Sequence, residues 1–339
     1  MKASVFYETG PAEVLKYTDV DRPTLHAGEV LVKVEACGVN RLDIWVRSGR
    51  YKTYTPHILG SDVAGTIVDF AEGVTNLSKG ERVLIYPVLS DGTCEFCISG
   101  RTNLCEKIGL LGSARNGGYA EYVNIPSQNI IKIDELDFDV AASLPVNFGT
   151  AWNALVRRAR IKPTDTLLIW AAGSGLGHAA LQIAKLFGAT VIATAGSDEK
   201  LHMASKLGAD YTINHKNENV PEKVLSITQG KGVDVVFDHV GRETWKKSID
   251  CLKKGGTLLS VGVTTGDNVE VAIPSIYRNE LLIAGVYAMT KDDMVKVIHL
   301  AAQRRIRPVI HKRMNMSEAA EAHRMLESSE QFGKVILKP

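Results

Sequence analysis

At 339 residues the chain is too long for one hydrophobic core and suits two domains, and its 45% hydrophobic and 23% charged composition is that of an ordinary globular protein. A net charge of +2 leaves no basic field for nucleic acid or an anionic membrane. No apolar run reaches the roughly 20 residues that span a bilayer, and the first ten residues, MKASVFYETG, lack the apolar stretch of a signal peptide, so a cytoplasmic protein without nucleic-acid or membrane partners is expected.

Strands dominate the early part of the chain. Branched or alternating runs at Val30–Ala36, Val63–Phe70, Arg82–Tyr86, Tyr119–Ile125 and Ile130–Ile133 are separated by Gly, Pro, Asn and Asp. Three of the five cysteines, Cys94, Cys97 and Cys105, lie within a dozen residues of one another; in a reducing compartment that spacing points to a metal rather than a disulfide. A helix-like stretch follows from about Phe148 to Arg160. Strands are then predicted at Thr166–Trp170, Thr190–Thr194, Tyr211–Ile213, Val233–Asp238, Thr257–Val261 and Leu281–Val286, with helices between. The first of these helices carries Leu176, Ala179, Ala180, Ile183, Ala184 and Phe187 on one face. Alternation of this kind predicts a doubly wound parallel sheet with right-handed crossovers. The tail from about Pro308 holds a helix capped by Ser317 and a last strand, Lys334–Leu337, that returns to the first domain.

Between the strand ending at Trp170 and the next helix runs a glycine-rich turn, Ala171 to Gly177. Its position allows backbone N–H groups and a helix N-terminus to receive a pyrophosphate. The second strand ends Ala195-Gly196-Ser197, without the acid that would bond a ribose 2′-OH; Lys200, His215 and Lys216 follow. This pattern favours NADPH over NADH, with Asp198 and Glu199 as the opposing signal.

The glycine turn (Ala172, Ser174, Gly175 and Gly177), the stretch Gly38–Asp43 with Arg47–Tyr51 behind it, the triplet Gly60-Ser61-Asp62 and the closing Phe332–Val335 together resemble the medium-chain dehydrogenase/reductase superfamily, in particular its quinone oxidoreductase-like branch. The resemblance implies an α/β protein: a Rossmann doubly wound parallel sheet plus a β-rich GroES-like barrel. The domains implied are a GroES-like catalytic domain over 1–147 with a zinc lobe at about 90–106, a dinucleotide-binding domain over 148–287, and a return to the first domain over 288–339. It implies cofactor contacts at Thr150, Ser174, Gly175, Leu176, Gly177, Gly196, Ser197, Lys200, His215, Gly241, Gly262, Val263 and Lys334, and pairing of the Leu281–Val286 edge in a homodimer or homotetramer.

The family's structural zinc loop matches Asp91-x2-Cys94-x2-Cys97-x7-Cys105, with Asp91 in place of the first thiolate; the alternative is a vestigial lobe with free thiols. The family's open catalytic zinc would need ligands at 40, 61 and 146, and these are Asn40, Ser61 and Val146, while Leu42 replaces the relay hydroxyl. The expectation is one structural zinc and hydride reduction of a small quinone or enone without a catalytic metal, with Asn40 and Ser61 donating hydrogen bonds to the substrate oxygen. A zinc alcohol dehydrogenase with atypical ligands and a non-catalytic NADPH-binding protein are the competing readings.

Overall fold

The computed structural model describes all 339 residues and divides into two compact units, Met1–Gly149 with Ala288–Pro339, and Thr150–Tyr287.

The first unit is built on Glu29–Gly38. This strand is buried on both faces for most of its length and pairs antiparallel with Asp62–Phe70 on one side. On its other edge it pairs with Tyr122–Pro126 along its first half and with Lys334–Lys338 at its end. Two register shifts, between Leu31 and Val32 and between Val34 and Ala36, bend it as a bulged barrel strand must bend. The sheet then runs outward through Arg82–Ile85 to Ile130–Lys132, and on the other side to Ile310–Asn315. The last strand thus inserts beside the first long one, so residues 310–338 complete this unit's core. Val30, Val32, Val34, Val63, Ile67, Val123, Val335 and Leu337 meet there. A short helix, Arg41–Arg47, leaves the end of Glu29–Gly38, and Ala319–Glu327 carries an apolar face into the same core. A single 3-10 turn, Met316–Glu318, leads into this helix and is capped by Asn315 rather than Ser317: the Asn315 side chain accepts the Ser317 N–H at 2.9 Å, and Glu318 reaches back to the Asn315 N–H at 2.7 Å.

The second unit is a six-stranded parallel sheet in the order Tyr211–Asn214, Thr190–Ala195, Thr166–Ile169, Val233–Asp238, Leu252–Ser260, Leu282–Gly285. All run the same way, but the order in which strands are added reverses between the third and fourth of these, and ligands bind beyond the strand ends at such a switch point. Helix Gly175–Leu186 follows the first strand in sequence and buries His178, Ala179, Leu181 and Ile183. The fifth strand begins at Leu252, five residues before the predicted Thr257, because Lys253–Gly256 bulge out between the Val233↔Leu252 and Val235↔Thr257 pairs, with Gly255 at φ 73°. The helix-like stretch after Leu144 is not a regular α-helix. Thr150–Trp152 is flanked by the wider turns Pro145–Gly149 and Asn153–Arg158, in which Gly149 N–H reaches Leu144 O and Ala159 N–H reaches Ala154 O, five residues back. Leu282–Gly285 is a sheet edge, and Leu282, Ile283, Tyr287, Ile273 and Tyr277 are exposed. No helix in either unit is long and apolar enough to cross a membrane.

Candidate functional site

In the first unit a cluster of charges lies under the ends of three segments. Asn40 follows the long strand, Asp62 begins the next, and Lys334 opens the last. The Lys334 ammonium donates to Asn40 Oδ1 and to Asp62 Oδ2, both at 2.6 Å, and Asn40 Nδ2 donates to Asp62 Oδ2 at 2.9 Å. The second Asp62 oxygen accepts the Val146 N–H at 2.9 Å. Asp62 and Lys334 are 0% and 1% exposed, so neither charge is stabilised by water and each depends on the other. Gly38 makes the room: a Cβ there would stand 2.4 Å from Lys334 Cε and 2.3 Å from Ala142 O. The other Nδ2 hydrogen of Asn40 has only a long contact, 3.4 Å to Gly38 O.

A second polar line runs from this cluster through the apolar core. Asp43 Oδ2 accepts the Asn40 N–H at 2.8 Å and the Tyr119 hydroxyl at 3.0 Å, while its Oδ1 has no partner. Tyr119 Oη lies 3.1 Å from His323 Nε2, and Arg47 lies 3.2 Å from His323 Nδ1. A guanidinium can only donate, so Nδ1 accepts, the neutral ring carries its proton on Nε2, and Tyr119 passes its own proton toward Asp43. Arg47 ends the line in an ion pair with Glu327 near the surface. Burial pushes the Asp43 carboxyl up to about 7, against the Asn40 and Tyr119 hydrogen bonds and Lys334. Burial, with Arg47 adding to it, holds His323 down at about 3.

Two sequence expectations change here. The Ser61 hydroxyl is fully buried and donates to Leu111 O at 2.7 Å, so its only proton is spent inside the protein and it does not serve a substrate. Lys334 is not a cofactor contact in this arrangement, since its ammonium is enclosed by Asn40 and Asp62. Asn40 is 4% exposed, with one amide hydrogen loosely held. The sequence gives no role to Tyr119 or His323, and marks Arg47 only as the start of the Arg47–Tyr51 stretch. Their contacts join positions 204 and 276 residues apart, and no local pattern marks them.

In the second unit the glycine turn opens helix Gly175–Leu186. Ser174 caps it, accepting the Gly177 N–H at 2.8 Å. Gly177 is obligatory, since a Cβ would approach Ala171 O to 2.4 Å. Gly175 and Leu176 form the first turn, with their N–H groups at the positive end of the helix. Beside this turn His239 Nε2 lies 3.0 Å from Trp170 O and 3.3 Å from Ser174 Oγ, a contact not anticipated from sequence. Gly262 is held small by His239, whose carbonyl would stand 2.9 Å from a Cβ, and Gly241, at φ 95°, packs against Val263 and Gly266. Thr150 is buried at the unit's first residue.

At the end of the second strand, a Cβ on Gly196 would meet Lys216 Cε at 3.0 Å and His215 Nε2 at 3.2 Å. His215 holds Thr194 Oγ1 at 3.2 Å. Its pKa is lowered by burial and then by the positive charges of Lys216, Lys247 and Lys200. Ser197 caps the following helix by accepting the Lys200 N–H, and Asn214 engages the Asp198 carboxylate at 3.0 Å. Lys216 and His215 thus border Gly196, Lys200 and Lys247 add positive charge near His215, and the Asp198 carboxylate is bonded to Asn214.

In the cysteine lobe the ligand atoms of Asp91, Cys94, Cys97 and Cys105 lie within 4.8 Å of one another. Tetrahedral zinc with Zn–S bonds of about 2.3 Å requires ligand separations of about 3.8 Å. Asp91 Oδ1 is oriented by the Thr93 and Cys94 N–H groups at 2.9 and 3.0 Å. This donor set fits zinc with a small contraction.

Residues 26–135 match the alcohol dehydrogenase GroES-like domain family and residues 175–303 the zinc-binding dehydrogenase family. The chain is 35% identical to the NAD-dependent alcohol dehydrogenase of Sulfolobus acidocaldarius, covering 100% of this chain and 99% of that one. It is 32% identical to the quinone oxidoreductase of Rattus norvegicus, covering 99% and 97%. A solved structure of an NAD-dependent alcohol dehydrogenase superposes with a TM-score of 0.96 at 38% identity, over 100% of both chains. The chain therefore belongs to the medium-chain dehydrogenase/reductase superfamily and is an oxidoreductase of the Rossmann and GroES-like architecture.

The buried line has a measurable signature. Between about 3 and 6.5 the unfolded chain binds a proton at His323 that the folded chain refuses, so this contribution is complete above 6.5 and lost as pH falls. Asp43 acts in the other sense: the folded chain retains a proton from 3.8 up to about 7, and stability is lost as pH rises through that window. From pH 4 to 6.5 the two slopes oppose each other. Asp43→Asn is expected to become more stable with rising pH over this range and His323→Gln less stable, each by on the order of a few kcal/mol. Urea unfolding midpoints at pH 4.5, 5.5 and 6.5 check this, and parallel profiles for both variants would contradict it.

Proposed function

We propose that the protein reduces a small quinone or α,β-unsaturated carbonyl with NADPH, using a hydrogen-bond donor rather than a metal to receive the developing negative charge, and that it carries one structural zinc. The observation that supports this most directly is the make-up of the positions where zinc alcohol dehydrogenases bind their catalytic ion. Here they are Asn40, Ser61 and Val146, and Asn40 with Asp62 enclose an ammonium. Neutral amide, hydroxyl and isopropyl groups are poor zinc ligands.

The bound nicotinamide supplies hydride. In a conjugated acceptor that hydride adds to carbon, the electron pair moves to oxygen, and the oxygen takes a proton from water. What the protein contributes is orientation and a donor at that oxygen. The loosely held Asn40 Nδ2 hydrogen is the donor we assign. Thr150, Gly262 and Val263 would hold the nicotinamide end, and the N–H groups of Gly175 and Leu176, at the helix N-terminus capped by Ser174, would receive the pyrophosphate. Asn40→Ala is expected to lower the single-turnover rate on 2-cyclohexen-1-one roughly a hundredfold. NADPH affinity should be unchanged. A fully active variant would remove Asn40 from the reaction.

NADPH is preferred in this reading although the archaeal relative and the solved structure are named for NAD. Gly196 leaves space for a 2′-phosphate, Lys216 and His215 border that space, and Lys200 is near enough to act on His215 through its charge. Asp198 is held by Asn214 instead of facing a ribose hydroxyl. Lys200→Ala should weaken NADPH about tenfold or more and leave NADH binding unaltered, and Ala195→Asp should invert the preference. Fluorescence titration with both cofactors measures this; equal losses for the two would mean that Lys200 does not read the phosphate.

Zinc is assigned to Asp91, Cys94, Cys97 and Cys105, where it would staple a lobe with little apolar core of its own. The exposed apolar edge Leu282–Gly285 is assigned to a second copy of the chain, giving a homodimer or a tetramer of dimers. Native mass spectrometry checks both, with one zinc per chain and an even number of chains expected; two tightly held zincs per chain, or a monomer, would contradict the respective assignment.

A further inference from the structure

Lys334 does more than neutralise a carboxylate. An Asp62–Lys334 pair needs one contact, yet the ammonium is shared equally between Asp62 Oδ2 and the Asn40 carbonyl, at 2.6 Å each. That second bond fixes the amide: the opposite orientation would set NH2 against NH3+. With Oδ1 held by the ammonium, Nδ2 must point toward Asp62 and Gly38. A full positive charge on an amide oxygen also draws electron density from its nitrogen, which makes each N–H a stronger donor. The hydrogen that benefits is the one with a 3.4 Å contact and little to hold it. Gly38 is the structural counterpart, since any side chain there would expel the lysine.

We infer that Lys334 is a positioning residue for reduction, orienting and polarising the Asn40 amide so that the hydrogen held only weakly by Gly38 O turns to the charge that develops on the substrate oxygen. This rests on the reaction proposed above. It assigns Lys334 a role through Asn40 and none in holding the cofactor. Burying a charge pair where apolar side chains of similar size would be no less stable is consistent with a functional use of the ammonium.

The test uses the zinc-loaded 339-residue chain and five variants, Lys334→Met, Asn40→Ala, Lys334→Met with Asn40→Ala, Asp62→Asn, and Lys334→Met with Asp62→Asn, the last compared with Asp62→Asn alone. Thermal melts identify the folded variants. If Lys334→Met alone does not fold because Asp62 is left unpaired, the Asp62→Asn pair carries the comparison. The readouts are the stopped-flow single-turnover rate with NADPH and 2-cyclohexen-1-one, its half-saturation in substrate, and NADPH affinity by fluorescence. Loss of the ammonium should lower the single-turnover rate roughly tenfold to a hundredfold with both affinities unchanged, because the interaction strengthens only in the transition state. In the Asn40→Ala background the same change should have little further effect. Three results would overturn the inference. One is an unchanged rate on removing the ammonium. The second is a weaker NADPH affinity at unchanged rate, which would make Lys334 a cofactor ligand. The third is an equal loss with and without Asn40, which would mean that Lys334 acts by another route. A fully active Asn40→Ala protein would instead refute the proposed role of Asn40 itself, and the inference with it.

Discussion

Asp62 is a fully buried carboxylate whose two oxygens bind three parts of the chain: the Lys334 ammonium, the Asn40 amide and the Val146 backbone. Those residues lie 272, 22 and 84 positions away, so one side chain closes loops that span most of the first unit. The arrangement is stable only as a whole. Removing either charge of the Asp62–Lys334 pair leaves the other bare in the interior, at a cost of about 3 to 5 kcal/mol. The short return of the tail, Lys334–Lys338, is thereby held against Gly38 not only by its ladder but by the lysine at its first position.

From Asn40 the same logic continues outward. Its backbone N–H is taken by Asp43, Asp43 by Tyr119, Tyr119 by His323, and His323 by Arg47. From Arg47 inward each member donates to the next, with the direction set by the guanidinium, which has no acceptor to offer, and Asp43 accepts from both Tyr119 and the Asn40 N–H. The line contains groups whose ionisation is held away from its ordinary range in opposite senses, Asp43 upward and His323 downward, and both shifts favour the neutral form. Apart from the Lys334–Asp62 pair, then, the core carries polarity with little net charge, which is how a polar spine survives in an apolar interior. The spine makes the position of Asn40 rigid, and a donor that must be aimed at a transient charge benefits from rigidity.

Much of this protein could be read from its sequence because its second half is periodic. The strand at Val233–Asp238 is a run of branched residues, the helix at Gly175–Leu186 has a single apolar stripe, and a glycine turn joins strand to helix, so local chemistry and global order agree. Discrepancies arise where a choice is made by distant partners. Ser61 has the right side chain for a substrate donor, but Leu111, fifty residues on, uses its proton. Lys334 was placed at the cofactor by its motif, whereas the direction of its side chain is set by Asn40 and Asp62, near the other end of the chain. Asn315 is a different case, since Asn-x-x-Glu is itself a capping signature, and the cap was legible at the residue two positions before the one chosen.

The charge balance of the Asn40 cluster bears on what it can reduce. An open zinc brings two positive charges to a carbonyl oxygen and lowers the barrier by direct polarisation. An ammonium paired with a carboxylate at 2.6 Å brings almost none at long range; its influence is confined to the groups it touches. In the reaction proposed above, what would reach the substrate is a single strengthened N–H. Such a donor is worth about 3 to 4 kcal/mol in a transition state, against several for a Lewis acid acting alone. A simple ketone concentrates the developing charge on one oxygen and asks more of the site than this. A quinone or enone spreads the charge over a conjugated system before the oxygen receives it, and the demand falls to what an oriented amide supplies. The acceptor proposed above and the modest electrostatics of Asn40, Asp62 and Lys334 are therefore matched to each other.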